Sequence, residues 1–137
     1  MKMFLGQYNP IITDGSRIVL PKKHREQIPG DQVILSRGFE SCILVYDKSD
    51  WQDKAQKQVE NLKEFKTSDL ERYLYTSAVE VSIDVQGRLV IPSELKDYAG
   101  IEKATSVIGV GDHIEIWSKQ TWEDRFEKIT EELIAQL

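Results

Sequence analysis

Two short apolar runs, each ended by a proline, stand out in the pattern of hydrophobic and polar positions. They are Arg17–Pro21, with the sequence RIVLP, and Arg88–Pro92, with the sequence RLVIP. Their branched aliphatic residues are typical of short strands, and proline marks a strand end or edge. Proline also fits the first turn of a helix, because the N–H it lacks has no partner there. We therefore predict short helices at Lys22–Ile28 and Ser93–Ala99, and Gly100 is a natural left-handed end for the second.

A hairpin is predicted after each of these helices. Two strand candidates surround Gly38, and two surround the Gly109–Gly111 segment, so both turns contain glycine. The four predicted strands are Val33–Arg37, Cys42–Tyr46, Ala104–Gly109 and His113–Trp117. This order of strand, helix and hairpin indicates a β-rich α+β fold.

An amphipathic helix is predicted after each hairpin, because apolar residues recur there at intervals of three and four. The recurring residues are Trp51, Ala55, Val59, Leu62 and Phe65 in the first half, and Trp122, Phe126, Ile129, Leu133 and Leu137 in the second. Ser49 with Gln52, and Ser68 with Glu71, have the spacing of capping boxes, which predicts that helices begin at both places. The second of these would be a brief helix that joins the two halves.

The two halves are copies of one unit. A shift of 71 residues, without gaps, aligns residues 17–62 with residues 88–133. Eleven positions are then identical, namely Arg17, Val19, Pro21, Gly38, Ile43, Lys48, Trp51, Asp53, Lys57, Glu60 and Leu62 with Arg88, Val90, Pro92, Gly109, Ile114, Lys119, Trp122, Asp124, Lys128, Glu131 and Leu133. Each copy is too small to bury a good core alone, so we expect the copies to share one.

Composition places the chain among globular proteins. Its 137 residues are 40 % hydrophobic and 30 % charged, which suits one ordinary domain or two very small ones. We expect no membrane span, no secretory leader and a cytoplasmic location, because no long apolar run is present. The single cysteine, Cys42, excludes an internal disulfide, and we expect no metal site and no cofactor.

Charge is unevenly distributed, although the whole chain carries a net charge of -5. Residues 1–46 hold six Lys or Arg and four acidic residues, whereas residues 76–117 hold three and seven. Much of the positive surplus lies between Arg17 and Arg25. Any contact with an anion is therefore expected at the amino-terminal copy.

A polar turn precedes each apolar run. The first is Thr13-Asp14-Gly15-Ser16-Arg17 and the second is Asp84-Val85-Gln86-Gly87-Arg88. Glycine permits a tight turn, and an aspartate can accept hydrogen bonds from the N–H groups of that turn. The arginine is then held at a strand start, where its guanidinium could bind phosphate or guanine. The alternative is that each arginine only pairs with a nearby carboxylate.

The doubled Asp-x-x-Gly-Arg turn, apolar triplet, proline, helix and hairpin resemble the MraZ family, and the resemblance covers nearly the whole chain. It implies two SpoVT–AbrB-type repeats, interlocked about a pseudo-two-fold axis into one β-barrel-like domain with flanking helices. On this reading residues 7–49 and 78–121 are the repeats, residues 50–76 are a helical connection, and residues 122–137 are a final helix. The family resemblance also implies a transcriptional regulator of the bacterial division and cell-wall gene cluster. Such a regulator would form ring-shaped homo-oligomers and bind repeated promoter elements.

The two turns do not match the family pattern equally. Asp84, Gly87 and Arg88 match it fully, whereas the first turn has Thr13 and Ser16 in place of aspartate and glycine. Asp14 and Gly15 lie inside that turn and are expected to do the same work one position along.

The DNA-binding face is nevertheless expected on the first repeat, because the second repeat has Ser93 and Glu94 where the first has Lys22 and Lys23. The predicted DNA-binding residues are Arg17, Lys22, Lys23, Arg25 and Arg88, with Lys2 and Arg37 as further members of the basic face. Arg88 is expected to be more structural than Arg17.

Several other residues receive plain interpretations. Cys42 is expected to be a small, half-buried hydrophobic residue, and His113 is expected to hold no metal. His24 lies in the basic cluster and could contact phosphate, although its place in that cluster does not by itself require such a contact. No catalytic constellation is recognisable, so we expect no enzyme and no small-molecule substrate. The expected partners are double-stranded DNA of the protein's own operon promoter and further copies of the chain, at the nucleoid; the alternative is a protein-binding, antitoxin-like module.

Overall fold

The structure is a computed structural model, and it describes residues 2–137. It is an α+β fold with mostly antiparallel strands, as predicted. The elements in chain order are β1 (Gln7–Tyr8), β2 (Arg17–Val19), α1 (Lys22–Arg25), β3 (Gln32–Arg37), β4 (Ile43–Asp47), α2 (Trp51–Asn61), α3 (Thr67–Ser77), β5 (Val79–Ser82), β6 (Arg88–Val90), α4 (Ser93–Tyr98), β7 (Thr105–Gly109), β8 (Ile114–Ser118) and α5 (Lys119–Ala135).

The two repeats exchange their first strands. The large sheet has the order β1-β7-β8-β4-β3-β5, so β1 of the first repeat pairs with the hairpin of the second, and β5 of the second repeat pairs with the hairpin of the first. Strands β2 and β6 form a separate two-stranded ribbon. Within residues 2–137 the large sheet is open at β1 and β5, so the barrel-like part of the predicted fold is not confirmed.

At two places the strand register relates the repeats by the same offset as the sequence. Ile18 lies opposite Leu89 in the ribbon, and Leu44 lies opposite Glu115 where β4 meets β8. Both pairs join positions that are 71 residues apart. Each pair is therefore the centre of a locally two-fold arrangement, in which either repeat presents the same edge to the other.

A shared core lies between the ribbon, the short helices and one face of the large sheet. Ile18, Leu20, Leu89 and Ile91 are all at most 1 % exposed and pack with Val45 and other sheet residues. Burial of such a side chain contributes about 1.5–3 kcal/mol to stability. Because the cluster draws on both repeats, neither repeat retains this core alone.

A second cluster covers the opposite face of the sheet. Leu44 and Tyr46 point away from the shared core and pack with Val59 of α2 and with Leu70 and Leu74 of α3. Strand β4 is therefore buried on both faces, and its five residues are all buried. This explains why its sequence, ILVYD, is almost continuously apolar rather than alternating.

The long elements agree with the sequence predictions better than the short ones do. The hairpins and the helices at 51–61 and 119–135 are confirmed within a few residues, whereas α1 and α4 are shorter than predicted and β1 and β5 were not predicted. The two capping boxes are wrong, because neither α2 nor α3 has a side-chain cap. Ser49 instead donates a hydrogen bond to Asp47.

A buried histidine connects the start of β8 to its surroundings. Nδ1 of His113 lies 2.8 Å from Asp112, Nε2 lies 3.0 Å from Glu115, and the ring stacks on Tyr46 at 5.1 Å between centroids. Lys54 of α2 lies 3.5 Å from the Asp112 carboxylate. Both ring nitrogens face carboxylate oxygens, so only the protonated imidazolium can donate both hydrogen bonds. Burial by itself lowers the pKa of His113, but the hydrogen bonds with Glu115 and Asp112 outweigh it and raise this pKa above its usual value.

We predict that this cluster makes stability depend on pH near neutrality. Because the pKa of His113 is higher in the folded state, its contribution is complete below the unfolded value of about 6.5 and is lost as pH rises through the folded value. The free energy of unfolding, measured by denaturant titration from about pH 6 upward, should therefore fall as pH rises. His113→Gln should flatten this dependence, and an equal slope in the two proteins would contradict the assignment.

Candidate nucleic-acid interface

The outer face of the ribbon carries the two motif arginines. Alternation along β2 and β6 turns Ile18 and Leu89 into the core, so the residues on either side of each face outward. Arg17 lies opposite Val90, and Val19 lies opposite Arg88. The two arginines thus occupy diagonal corners of one face.

Two exposed valines lie between these arginines. Val19 is 42 % exposed and Val90 is 44 % exposed, although both are apolar strand residues. Sequence reasoning missed them, and the signal that could have found them is the period-two alternation around Ile18. A two-stranded ribbon fits the DNA major groove, where arginine binds guanine or phosphate and an apolar side chain contacts the thymine methyl group.

The second turn is built as the sequence predicts. Oδ1 of Asp84 accepts hydrogen bonds from the main-chain N–H groups of Gln86 and Arg88, both at 2.9 Å, and Oδ2 accepts one from Arg88 Nε at 3.0 Å. The hydrogen bond from the Arg88 main chain and the other bonds in the turn lower the pKa of Asp84 below its usual value. Arg88 therefore does pair with a nearby carboxylate, as the alternative interpretation allowed, and this anchors its side chain.

The first turn reaches a similar shape by other means. Thr13 and Arg17 exchange main-chain hydrogen bonds, and Arg17 Nη1 donates to the main-chain carbonyl of Asp14 at 3.0 Å. Gly15 and Ser16 both have positive φ, at 78° and 56°. The Asp14 carboxylate accepts no hydrogen bond among residues 2–137, so Asp14 does not repeat the part of Asp84. Arg17 forms no ion pair within the described chain, which leaves its charge available.

Each turn is held by the other repeat. The N–H of Leu20 donates to the carbonyl of Gly87 at 3.0 Å, and the N–H of Ile91 donates to the carbonyl of Ser16 at 2.9 Å. Arg25 joins the first of these junctions. Its Nε donates to the carbonyl of Leu20 at 3.0 Å, and a Cβ atom on Gly87 would overlap its guanidinium. Arg25 therefore lies partly buried at the junction, and contact with DNA remains a prediction for it.

Lysines beside the ribbon distinguish its two ends. Lys22 and Lys23 begin α1 directly after the first ribbon strand, and both are exposed. Ser93 and Glu94 occupy the same places in α4. The lysines follow Val19, which pairs with Arg88, so the end of the ribbon that carries Arg88 is the more positive one.

Two residues expected in the basic face point elsewhere. Nζ of Lys2 lies 2.7 Å from Asp50 and 3.0 Å from Asp47, so the prediction that Lys2 adds free charge to the face is wrong. Arg37 Nη2 donates to the main-chain carbonyl of Tyr73, and the guanidinium lies over the Tyr73 ring. Arg37 thus faces α3 rather than the ribbon.

The remaining candidates are buried. His24 is 1 % exposed and lies between the rings of Phe4 and Tyr8, with Nε2 against the carbonyl of Leu5. That position is incompatible with the suggested phosphate contact. Cys42 is fully rather than half buried, and burial raises the pKa of its thiol.

Between residues 2 and 137, no helix combines the length and apolar character that crossing a membrane needs. The same residues include no group of three or more His, Cys, Asp or Glu side chains arranged to hold a metal ion.

Comparison with known proteins identifies one family. The family model described as "MraZ protein, putative antitoxin-like" matches residues 3–73 and again residues 74–136. A protein named transcriptional regulator MraZ from Syntrophomonas wolfei is 36 % identical over 142 residues, which cover 96 % of this chain and 97 % of the relative. Proteins of the same name from Lachnoclostridium phytofermentans and Caldicellulosiruptor bescii are 38 % and 37 % identical, over 88 % and 98 % of this chain and 85 % and 95 % of their own lengths.

The difference between the two turns predicts the effect of exchanging their residues. Ser16 holds a left-handed conformation, which costs a residue with a side chain about 1–2 kcal/mol, whereas Gly87 holds it without that cost. Ser16→Gly should raise the free energy of unfolding by about 0.5 kcal/mol, since glycine loses more entropy on folding and the 3.3 Å contact from Lys96 is removed. Gly87→Ser should lower it by at least about 1–2 kcal/mol, because its Cβ would also displace the Arg25 guanidinium. Denaturant titration measures both, and a stabilising Gly87→Ser would contradict this account.

Proposed function

Since this chain belongs to the MraZ family, we propose that it is a sequence-specific, DNA-binding transcriptional regulator that contacts double-stranded DNA through the ribbon face. The observation that carries this proposal is the exposed face of β2 and β6. Arg17 and Arg88 project there from anchored turns, and Val19 and Val90 lie between them. Anchored arginines lose little conformational freedom on binding, which favours a specific contact.

The first repeat is proposed to dominate the contact. Arg17 has no carboxylate partner within the described residues, whereas Arg88 shares its Nε with Asp84. Lys22 and Lys23 of the same repeat add two exposed positive charges at the ribbon end where Val19 pairs with Arg88, whereas Glu94 of the second repeat places a negative charge at the end that carries Arg17. Phosphate contacts by lysine position a protein on DNA, while base contacts by arginine specify sequence.

The proposed target is the promoter of the protein's own operon, in the bacterial division and cell-wall gene cluster. One ribbon with its two arginines and the adjacent Lys22 and Lys23 would bind weakly and with strong salt dependence. Several ribbons in a ring-shaped homo-oligomer would engage repeated promoter elements at high effective concentration. This mode of action places the protein in the cytoplasm, at the nucleoid.

Helix α5 supports self-assembly. None of its 17 residues is buried, and Phe126, Leu133 and Ile134 are each more than half exposed. The equivalent helix α2 of the first repeat is instead covered by α3 through Leu70 and Leu74. An uncovered apolar stripe on one repeat is typical of an interface with another chain.

We predict that Arg17→Ala combined with Lys23→Ala abolishes specific operator binding while the assembly stays intact. The double variant loses the contact proposed to specify sequence and one proposed phosphate contact, so the slope of log affinity against log salt should also fall, by about 1 for the lysine. Mobility-shift titrations on the DNA upstream of its own operon, with competitor DNA and varied salt, measure both quantities.

Lys57→Ala combined with Arg72→Ala is the matched control for that variant. It removes the same charge from exposed positions outside the ribbon, and we expect near-native affinity. Native affinity in the Arg17, Lys23 variant would contradict the proposed face. If the wild-type protein binds no such promoter but retains a tight protein partner in a pull-down, the antitoxin-like alternative is favoured.

We predict that Leu133→Asp reduces the oligomer to smaller species without unfolding the chain. Leu133 is 59 % exposed, so a carboxylate there costs the fold little, but it would be buried in the proposed interface, where an unpaired charge is costly. Native mass spectrometry reports the mass, and Glu132→Ala is the control at a neighbouring exposed position. A wild-type monomer at the concentrations used for DNA binding would contradict the ring.

A further inference from the structure

A small cavity lies where the two repeats and the connecting helix meet. Its volume is about 140 Å³, and it lies between β3, the end of α3, β5 and helix α4. The lining residues are Arg37, Thr76, Ser77, Val79, Pro92, Glu94, Leu95 and Tyr98. This is a different place from the ribbon face, and neither the resemblance nor the proposed function gives it a role.

Arg37 brings an uncompensated positive charge to this cavity. Its Nη2 donates to the carbonyl of Tyr73 at 2.7 Å and to the hydroxyl of Thr76 at 3.0 Å. Among residues 2–137 no carboxylate lies within 4 Å of the guanidinium, and its buried Nε has no hydrogen-bond partner. A partly buried cation whose donors are only partly used favours a counter-ion, because burial strengthens the attraction between opposite charges.

The fold does not require an arginine at this place. Arg37 lies opposite Ile43 in the first hairpin, and Gly109 lies opposite Ile114, the counterpart of Ile43, in the second hairpin. The equivalent strand position of the second repeat is therefore filled by glycine, which has no side chain. An arginine at this position is therefore specific to the cavity and is not a shared feature of the two repeats.

The three hydroxyl groups of the cavity are already engaged within the chain. Thr76 donates to the carbonyl of Arg72, Ser77 to that of Leu74, and Tyr98 to that of Gly38. The guanidinium is consequently the group with donors left for a ligand. Val79, Pro92 and Leu95 form apolar walls, which leave room for only a few atoms beyond an anionic group.

We propose that this cavity binds a small oxyanion, either inorganic phosphate or the carboxylate of a small organic acid, with Arg37 as its counter-charge. The guanidinium matches both groups, because two of its N–H donors can meet two oxygen atoms. Glu94 lies in the lining without an ion-pair partner among the described residues, and its carboxylate opposes anion binding. The proposal predicts opposite effects of neutralising Arg37 and neutralising Glu94.

The experiment titrates the full-length protein with sodium phosphate or sodium acetate, with sodium chloride keeping the ionic strength constant. Amide chemical shifts of Thr76, Ser77 and Val79 report binding at the cavity, and titration calorimetry gives the affinity. We expect saturable binding of at least one anion by the wild-type protein. Arg37→Gln should weaken it by about tenfold or more, as for loss of a charged hydrogen bond. Glu94→Gln should tighten it several-fold.

Arg72→Gln is the matched control, because it removes the same charge from an exposed position on α3, a helix whose end lines the cavity. It should leave the affinity unchanged. Since Arg37→Gln could impair folding, Glu94→Gln supplies a second measurement that leaves every contact of Arg37 in place.

Saturation by phosphate alone or by acetate alone supports the site and identifies its chemical type. The proposal is overturned if neither anion saturates the wild-type protein, if Arg37→Gln binds as tightly as wild type, or if Glu94→Gln binds more weakly. The experiment uses no DNA, so its failure leaves the proposed regulator unaffected.

Discussion

Exchange of strands between the repeats is the constraint on which the structure depends. Strand β1 finds its main-chain partners on β7, and β5 finds them on β3, so each hairpin is completed by a segment from the other repeat. Unpaired main-chain groups of a buried strand are costly, and a repeat on its own would leave such an edge. The exchange also brings both halves of the shared core together, because Ile18 and Leu89 meet only when the ribbon forms.

The same constraint fixes where the arginines point. Pairing of β2 with β6 in one register leaves a single outward face, and hydrogen bonds from Leu20 to Gly87 and from Ile91 to Ser16 hold both turns against it. The backbone of this region is nearly symmetric, but its side chains are not. Lysines stand where the other repeat has Ser93 and Glu94, and Arg37 stands where it has Gly109. Packing demands similar apolar residues from both repeats, so polar positions that differ between them are the ones free to serve function.

Sequence reasoning recovered the elements whose signals are local. Hairpins with glycine turns, the long amphipathic helices and the Asp84 turn all follow from residues near one another in the chain. Strands β1 and β5 have two and four residues and no distinct pattern, because their stability comes from partners about 100 and 45 residues away in the chain. The family resemblance implied interlocked repeats, yet the pairing of β1 and β5 with these partners depends on tertiary contacts rather than on local sequence.

Counting charges along the sequence did not identify the members of the basic face, for a related reason. It assigned Lys2 to the basic face, but ion pairs depend on distance in space, and Asp47 and Asp50 lie beside it in the fold. Arg25 belongs to the basic segment by sequence, whereas its guanidinium lies against Gly87 of the other repeat. The candidate face could thus be predicted as a region, and its members could be separated only by the contacts of each side chain.

Unequal ends give the ribbon a direction. A symmetric ribbon that entered a groove would meet an inverted DNA site equally well in both orientations. With Lys22 and Lys23 at one end and Glu94 at the other, the two orientations place different charges against the phosphates, so one is preferred. Subunits arranged head to tail in a closed assembly would then present their ribbons with the same polarity, which suits elements repeated in one direction along a promoter. On the proposed function, duplication followed by divergence of a few polar positions would therefore be sufficient to turn a two-fold fold into an oriented reader of DNA.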